Sequence, residues 1–222
     1  MGKKSQAKKQ TESPKQAAEG VVCVEPLTPE RWSDLETLFG SRGACGGCWC
    51  MYWRLSHSDF EAGKGDPNRK AMKKRVRTGA VPPGLLGYNR DDEPIAWIAI
   101  APRAEYPRLA RSRILAPIDD RDDVWSVTCL FVERRHRKQG ASVAMINAAA
   151  DFVADQGGIL VEAYPHETTG KTAAPAFIWT GTASAYARAG FTECARRSPK
   201  RPIMRLSISA GTRKKRSLTK TR

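Results

Sequence analysis

The chain has 222 residues, 41% of them hydrophobic, and carries a formal net charge of +15. That length admits one domain of ordinary size or two small ones, with enough apolar residues to build a core. No apolar run reaches the roughly 18 residues of a membrane-spanning helix, no N-terminal stretch reads as a secretory signal, and Gln6 stands where the myristoylation pattern wants Ser or Thr, so a cytoplasmic protein is expected.

The charge is unevenly spread. Residues 1–20 hold five Lys and two Glu, and residues 211–222 hold six Lys and Arg with no acid, which leaves +6 for the 190 residues between them. Both ends are polar and have nothing to bury. We expect a disordered basic tail over residues 1–20, one domain over 21–208 and a second disordered basic tail over 209–222. Such tails either touch nucleic acid weakly and without specificity or only keep the chain soluble.

Val21 to Val24 reads as a first strand. Thr28 then caps a helix with Pro29 at its first position, Trp32, Leu35, Leu38 and Phe39 on its apolar face and Gly40 at its end. The next segment, Cys45-Gly-Gly-Cys48-Trp-Cys50-Met-Tyr-Trp53, permits two readings. Closely spaced thiols can share a metal, but a structural zinc wants a fourth ligand, and His57 or Cys23 would have to supply it. The alternative is an aromatic-rich packing segment. With no secretory signal all six cysteines are expected as thiols, and Cys23, Cys129 and Cys194 lie in apolar runs where Cys acts as a small hydrophobe. Asp66-Pro67 opens a second helix, basic on its exposed side, that closes near Thr78-Gly79. Gly84 to Tyr88 and Pro94 to Ala101 form a hairpin around Asn89 to Asp92. Arg103 to Asp123 is a long connection with a helical turn near Tyr106 to Ala110.

The stretch from Asp123 to Gly157 organises the rest. Val124 to Val132 is apolar and rich in β-branched residues, as a buried strand requires. Glu133 to Gln139 is a short basic turn. Gly140 to Gln156 reads as a helix stopped by Gly157, with an apolar face of Val143, Ile146, Ala150 and Val153. A tight turn feeding a helix start leaves backbone N–H groups pointing outward, where with the helix dipole they favour phosphate. Gly140, Ala141 and Ser142 are small enough for close approach, and Arg137 and Lys138 add positive charge. Downstream follow a strand over Gly158 to Tyr164, a Thr-, Ala- and Lys-containing loop over His166 to Thr180, a short helix over Gly181 to Ala189, and a hairpin of Phe191 to Arg196 with Pro202 to Ser207.

Arg137-Lys-Gln-Gly140-Ala-Ser142 resembles the pyrophosphate loop of the GNAT acyltransferase superfamily, Q/R-x-x-G-x-G/A, and Tyr186-Ala-Arg-Ala-Gly190-Phe191 resembles that family's Y-x-x-x-G-F. Ser142 departs from the usual final Gly or Ala but is still small. The resemblance covers residues 21–208. It implies an α/β (α+β) fold with a mixed, mostly antiparallel sheet whose central strands splay, flanked by helices. It also implies an N-acetyltransferase that moves acetyl from acetyl-CoA, as co-substrate, directly to a primary amine; no metal is expected, and because the domain is neither strongly basic nor strongly acidic a small molecule is the default acceptor, with a protein or peptide amine as the alternative. Backbone groups of Leu130, Phe131 and Val132 would pair with the pantetheine arm, and Arg137, Lys138, Gln139, Gly140, Ala141 and Ser142 would hold the pyrophosphate. Tyr186 falls at the family's general-acid position, with packing of the last helix as its other reading. Trp49, Tyr52 and Trp53 would border the acceptor groove.

The base is less defined. Glu162, an acid in an apolar strand, is the candidate, because burial raises a carboxyl's pKa toward a useful range; a salt-bridged or solvent-facing Glu is the other reading. Two further functions remain open: a non-catalytic CoA-binding regulator on the same fold, and a basic nucleic-acid-associated protein with a cysteine metal site.

Overall fold

A computed structural model describes residues 20–168 and 178–208. The expected tails, apart from Gly20, and the centre of the 166–180 loop lie outside the described residues. The elements are β1 (Cys23–Pro26), a 3-10 turn (Pro29–Arg31), α1 (Trp32–Phe39), α2 (His57–Ala62), α3 (Asp66–Thr78), β2 (Gly84–Tyr88), β3 (Pro94–Pro102), a 3-10 turn (Arg103–Glu105) and α4 (Pro107–Ala110). They continue with β4 (Val124–Val132), a 3-10 turn (Arg134–His136), α5 (Ala141–Asp155), β5 (Leu160–Ala163), α6 (Ala183–Arg188), β6 (Thr192–Arg196) and β7 (Pro202–Ser207). Among the described residues no helix is long and apolar enough to cross a membrane.

All seven strands join one sheet in the order β1-β2-β3-β4-β5-β7-β6. Every neighbouring pair is antiparallel except β4 with β5. This is the mixed, mostly antiparallel α/β architecture expected. Two irregularities shape its centre. Ala99 lies opposite Cys129 and Ile100 opposite Val127, so Thr128 is an extra residue in β4, a bulge that bends the strand. The parallel pairing of β4 with β5 runs only from Val124↔Leu160 to Val127↔Ala163. Past the bulge β4 continues to Val132 while β5 ends, and the two part.

Each face of the sheet buries its own core. On one side α5 and α6 cover Ile98, Val127, Leu130 and Val161. On the other α1 and α3 cover Leu86, Trp97, Ala99 and Cys129. The α1 face is the expected one, with Trp32, Leu35, Leu38 and Phe39 all buried. The α5 face is rotated from expectation. Ile146 and Val153 are buried, but their companions are Ala141, Met145 and Ala149, while Val143 and Ala150 are half-exposed. An alanine-rich helix is apolar on nearly every side, so spacing alone cannot orient it. Expected and observed limits also differ at β1, which starts at Cys23, and at the expected first helix, which opens as a 3-10 turn without a bond from the Thr28 side chain.

Below the point where β4 and β5 part, the seam is held by charge. Glu162 of β5 is fully buried. Its Oε1 accepts from the Tyr164 hydroxyl at 2.6 Å, its Oε2 accepts from Arg205 Nε of β7 at 2.7 Å, and Arg103 approaches to 3.6 Å. Both arginines also engage Asp119, from the connection that precedes β4. Arg205 first, through its hydrogen bonds, holds the Asp119 carboxyl down at about 2. Glu162→Gln leaves two nearly buried guanidinium groups to share one carboxylate, and breaking such a pair costs about 3–5 kcal/mol. Urea unfolding should register that loss; a change under about 1 kcal/mol, the worth of an exposed pair, would show that the seam does not depend on this network.

Candidate active site

Where β4 and β5 part, a cleft of about 950 Å³ opens between the outer half of β4 and the segment Ile178 to Thr182. It has a basic end, a strand wall and an aromatic end.

The basic end is the turn from β4 into α5. Glu133 accepts from the Arg135 backbone N–H at 2.8 Å and closes the 3-10 turn. Arg137 Nε donates to the Val132 carbonyl at 2.8 Å, which folds the loop back on its own strand. Arg134, Arg137, Lys138 and Ser142 face the cleft. Gly140 precedes α5 with φ +81°, a left-handed backbone, and a Cβ added there would meet nothing within 4 Å. No side chain caps the helix, so the first N–H groups of α5 keep their capacity for an outside acceptor.

The strand wall is Thr128 to Val132. Leu130 N–H donates to the Trp179 carbonyl at 2.8 Å, so this donor points into the cleft and already holds an oxygen. Gly181 (φ +81°) lets that segment lie close: a Cβ there would come within 3.0 Å of the Tyr186 ring and 3.1 Å of Leu130.

At the aromatic end Tyr52 packs edge-on against Trp53, Phe60 and Trp179, with ring centroids 4.9, 5.2 and 5.4 Å away. On its other face Arg108 sits 3.9 Å above the Tyr52 ring. The thiols of Cys45, Cys48, Cys50 and Cys129 complete this wall. Cys50 Sγ accepts from Trp97 Nε1 at 3.1 Å, and Cys48 Sγ donates to the Gly43 carbonyl at 3.5 Å. Hydrogen bonding between thiols, with Cys129 for Cys50 and with Cys50 for Cys48, and then burial push both groups far above the usual thiol range. Among the described residues no group of three or more His, Cys, Asp or Glu is arranged to hold a metal ion.

Residues 49–177, more than half the chain, match the acetyltransferase (GNAT) family. The chain belongs to that family. No curated protein matches it. A mutant of the spermidine N-acetyltransferase SpeG from Vibrio cholerae shares the fold with a TM-score of 0.51 at 11% identity, over 83% of this chain and 92% of the other. Also similar are the PaiA N-acetyltransferase from Thermoplasma acidophilum in complex with coenzyme A (TM-score 0.48, 13% identity, 83% and 98% covered) and NAA60 from Arabidopsis thaliana in complex with acetyl-CoA (TM-score 0.45, 15% identity, 84% and 99% covered).

In this GNAT chain Leu130, Phe131, Val132, Arg137, Lys138 and Ser142 line the cleft. Gln139 does not; its side-chain amide donates to the Arg135 carbonyl at 3.0 Å. Ala141 is buried beneath the loop, and Gly140 offers only backbone. Tyr52 and Trp53 face the cleft, whereas Trp49 stacks on Trp32 in the core behind it. Tyr186 also lies outside the cleft lining, fully buried, and its hydroxyl has no hydrogen-bond partner among the described residues. Burial, and secondarily the field of Cys129, pushes the phenol well up from its ordinary value. Glu162, the candidate base, lies outside the cleft lining, with both carboxylate oxygens engaged in the charged seam, as in the salt-bridged reading of this residue. Sequence reasoning missed Phe60, Trp179 and Arg134. For Phe60 a signal existed: Ser56 and Asp59 cap α2, with Ser56 Oγ accepting from the Asp59 N–H at 3.1 Å.

His166 closes the base of the segment that carries Trp179. Its backbone N–H donates to the Gly181 carbonyl and its carbonyl accepts from Ala183, both at 2.9 Å. Burial, then the charge of Arg201, lowers its imidazole to about 4. The folded chain therefore refuses a proton that the unfolded chain takes up at about 6.5, so stability falls as pH drops from about 6.5 toward 4. Urea midpoints measured across that window should fall with pH in the parent and lie flatter in His166→Gln. The contribution of Asp119, depressed to about 2, is lost only below about 4.

Proposed function

We propose that the protein is an N-acetyltransferase that moves acetyl from acetyl-CoA directly to a primary amine on a small molecule. The observation that carries this is one continuous cleft, running from a basic, uncapped helix start past an open strand edge to an aromatic wall. The cleft suits an elongated ligand with an anionic end and a peptide-like arm. In this reading the N–H groups that open α5 at Gly140, Ala141 and Ser142 take the pyrophosphate, with Arg137 and Lys138 adding charge and Gln139 shaping the turn. Leu130, Phe131 and Val132 pair with the arm as an added strand would. When bound, acetyl-CoA supplies the activated acyl group.

The chain's own part is to orient, polarise and hold protons. The Leu130 N–H is fixed by the bulged strand, and a fixed donor polarises a carbonyl at no reorganisation cost. It carries the Trp179 oxygen in this structure, so a ligand carbonyl takes that place by exchange. Tyr186 is the proton donor for the departing thiolate. Its ring packs against Gly181 behind the cleft wall, its hydroxyl has no partner among the described residues, and a phenol carries its proton at neutral pH. We assign Glu162 to holding the seam, not to proton removal, and leave the amine's proton to solvent.

Two variants test the reading. Gly140→Glu sets a carboxylate and bulk in the phosphate position and should weaken CoA binding at least tenfold, about 1.4 kcal/mol. Gly140→Ala carries the same left-handed strain without the charge and should lose much less. Calorimetry showing equal affinities in folded proteins would remove the loop from the CoA site. Tyr186→Phe should lower kcat by roughly 10²-fold with acetyl-CoA affinity little changed; a pH–rate profile that overlays the parent would return Tyr186 to packing.

A further inference from the structure

We infer that the acceptor is a weakly basic amine carried on a flat apolar body, and not a polycation. The inference rests on the acetyltransferase reading and concerns the other half of the same cleft. Among the described residues no carboxylate and no histidine lines it. The charged groups that do line it are arginines and a lysine at its basic end; its other titratable groups are thiols and Tyr52. Outside the described residues the sequence holds only two acids, Glu12 and Glu19, and no histidine.

Buried Glu162 and half-buried Glu105 are already engaged by arginines. Glu105 is bound by Arg54 and Arg75, and Glu162 by Arg103 and Arg205. At the aromatic end a polyamine or a lysine-rich peptide would give up water for rings and thiols with no carboxylate among the described lining residues, and burying an unpaired ammonium costs energy. The surface offered to the acceptor is instead the rings of Tyr52, Trp53, Phe60 and Trp179. Such rings suit a flat or apolar body.

The chemistry agrees. Transfer forms the N–C bond and breaks the C–S bond, with the C–S electron pair leaving on sulfur. The amine must attack as the free base, and an ammonium group entering the cleft finds no side chain there to take its proton. Only the fraction already neutral in solution reacts. At pH 7 an α-amine with a pKa of about 7.8 is roughly one-seventh neutral, while an alkyl amine near 10.4 is neutral in about one molecule per 2,500, a gap of roughly 300-fold.

Thiol release from acetyl-CoA with matched acceptors tests this on the full chain. Phenylalaninamide and phenethylamine share an aromatic body and differ in amine basicity; glycinamide keeps the weak base and lacks the body. Anisidine separates an arylamine acceptor from an α-amine one, and spermidine is the polycation. At pH 7 kcat/KM should be at least about 100-fold higher for phenylalaninamide than for phenethylamine, with the gap closing as pH approaches about 10. Glycinamide should be at least tenfold slower than phenylalaninamide, and spermidine slowest of all. Equal kcat/KM for the matched pair at pH 7, or spermidine as the best acceptor, overturns the inference and leaves the acetyltransferase reading standing. No heat of CoA binding together with no thiol release from any amine overturns the acetyltransferase reading itself.

Discussion

The structure depends on a strand pairing that stops early. β4 and β5 are parallel neighbours for only four residues each, and the extra residue at Thr128 turns the rest of β4 away. A parallel pair of that length is a weak joint between the two halves of a sheet, β1 to β4 on one side and β5, β7 and β6 on the other. Two kinds of reinforcement surround it. Across the seam the Ser126 hydroxyl meets the Tyr164 hydroxyl at 3.0 Å, and Tyr164 reaches Glu162. Arg103 and Arg205 then bind Glu162 to Asp119. The joint is firm below and open above, and the opening is the cleft.

The same division sorts charge from apolar surface. Buried Glu162 and half-buried Asp119 are held between guanidinium groups at the seam, while the cleft wall beyond its basic end is built from backbone, rings and thiols. The left-handed Trp49 and Cys50, with φ of +42° and +53°, help set that wall. They aim one indole into the core against Trp32 and set one sulfur beside the Trp97 N–H. Asn68 of α3 holds the segment in place, its side-chain amide donating to the Gly47 and Phe60 carbonyls at 3.3 Å. The Cys45–Trp53 run is a packed turn whose outer face is half of the cleft.

Local pattern carried much of this, and the misses have physical causes. Val124 to Val132 is recovered to the residue because a continuous β-branched run bounded by polar turns has few other solutions. The same holds for α3, opened by Asp66-Pro67, and for β7. The joint after β4 was legible because small residues and basic charge at a helix start have a local reason to coincide. Long-range partners were not. Glu162 looked like an isolated acid in an apolar strand, and nothing periodic links it to Arg103 or Arg205. Trp179 ends the short apolar run Phe177-Ile-Trp179, which has no period to place it, and only the return of the chain to His166 brings it to Tyr52. Helix α2 is six residues long, too short for a face to show.

The bond from the Leu130 N–H to the Trp179 carbonyl has a consequence for the solubility of the fold. Beyond Val127 the outer half of β4 is an unpaired strand edge inside an otherwise complete sheet, apolar and rich in residues that favour β pairing. Exposed edges of that kind recruit strands from other molecules. The chain's own segment occupies one rung of this edge, and Trp179 lays its ring over the adjoining wall. That rung is thereby guarded against a strand from a second copy. A ligand that displaces the guard replaces one hydrogen bond with another, so that rung contributes to which ligand fits more than to how tightly it is held.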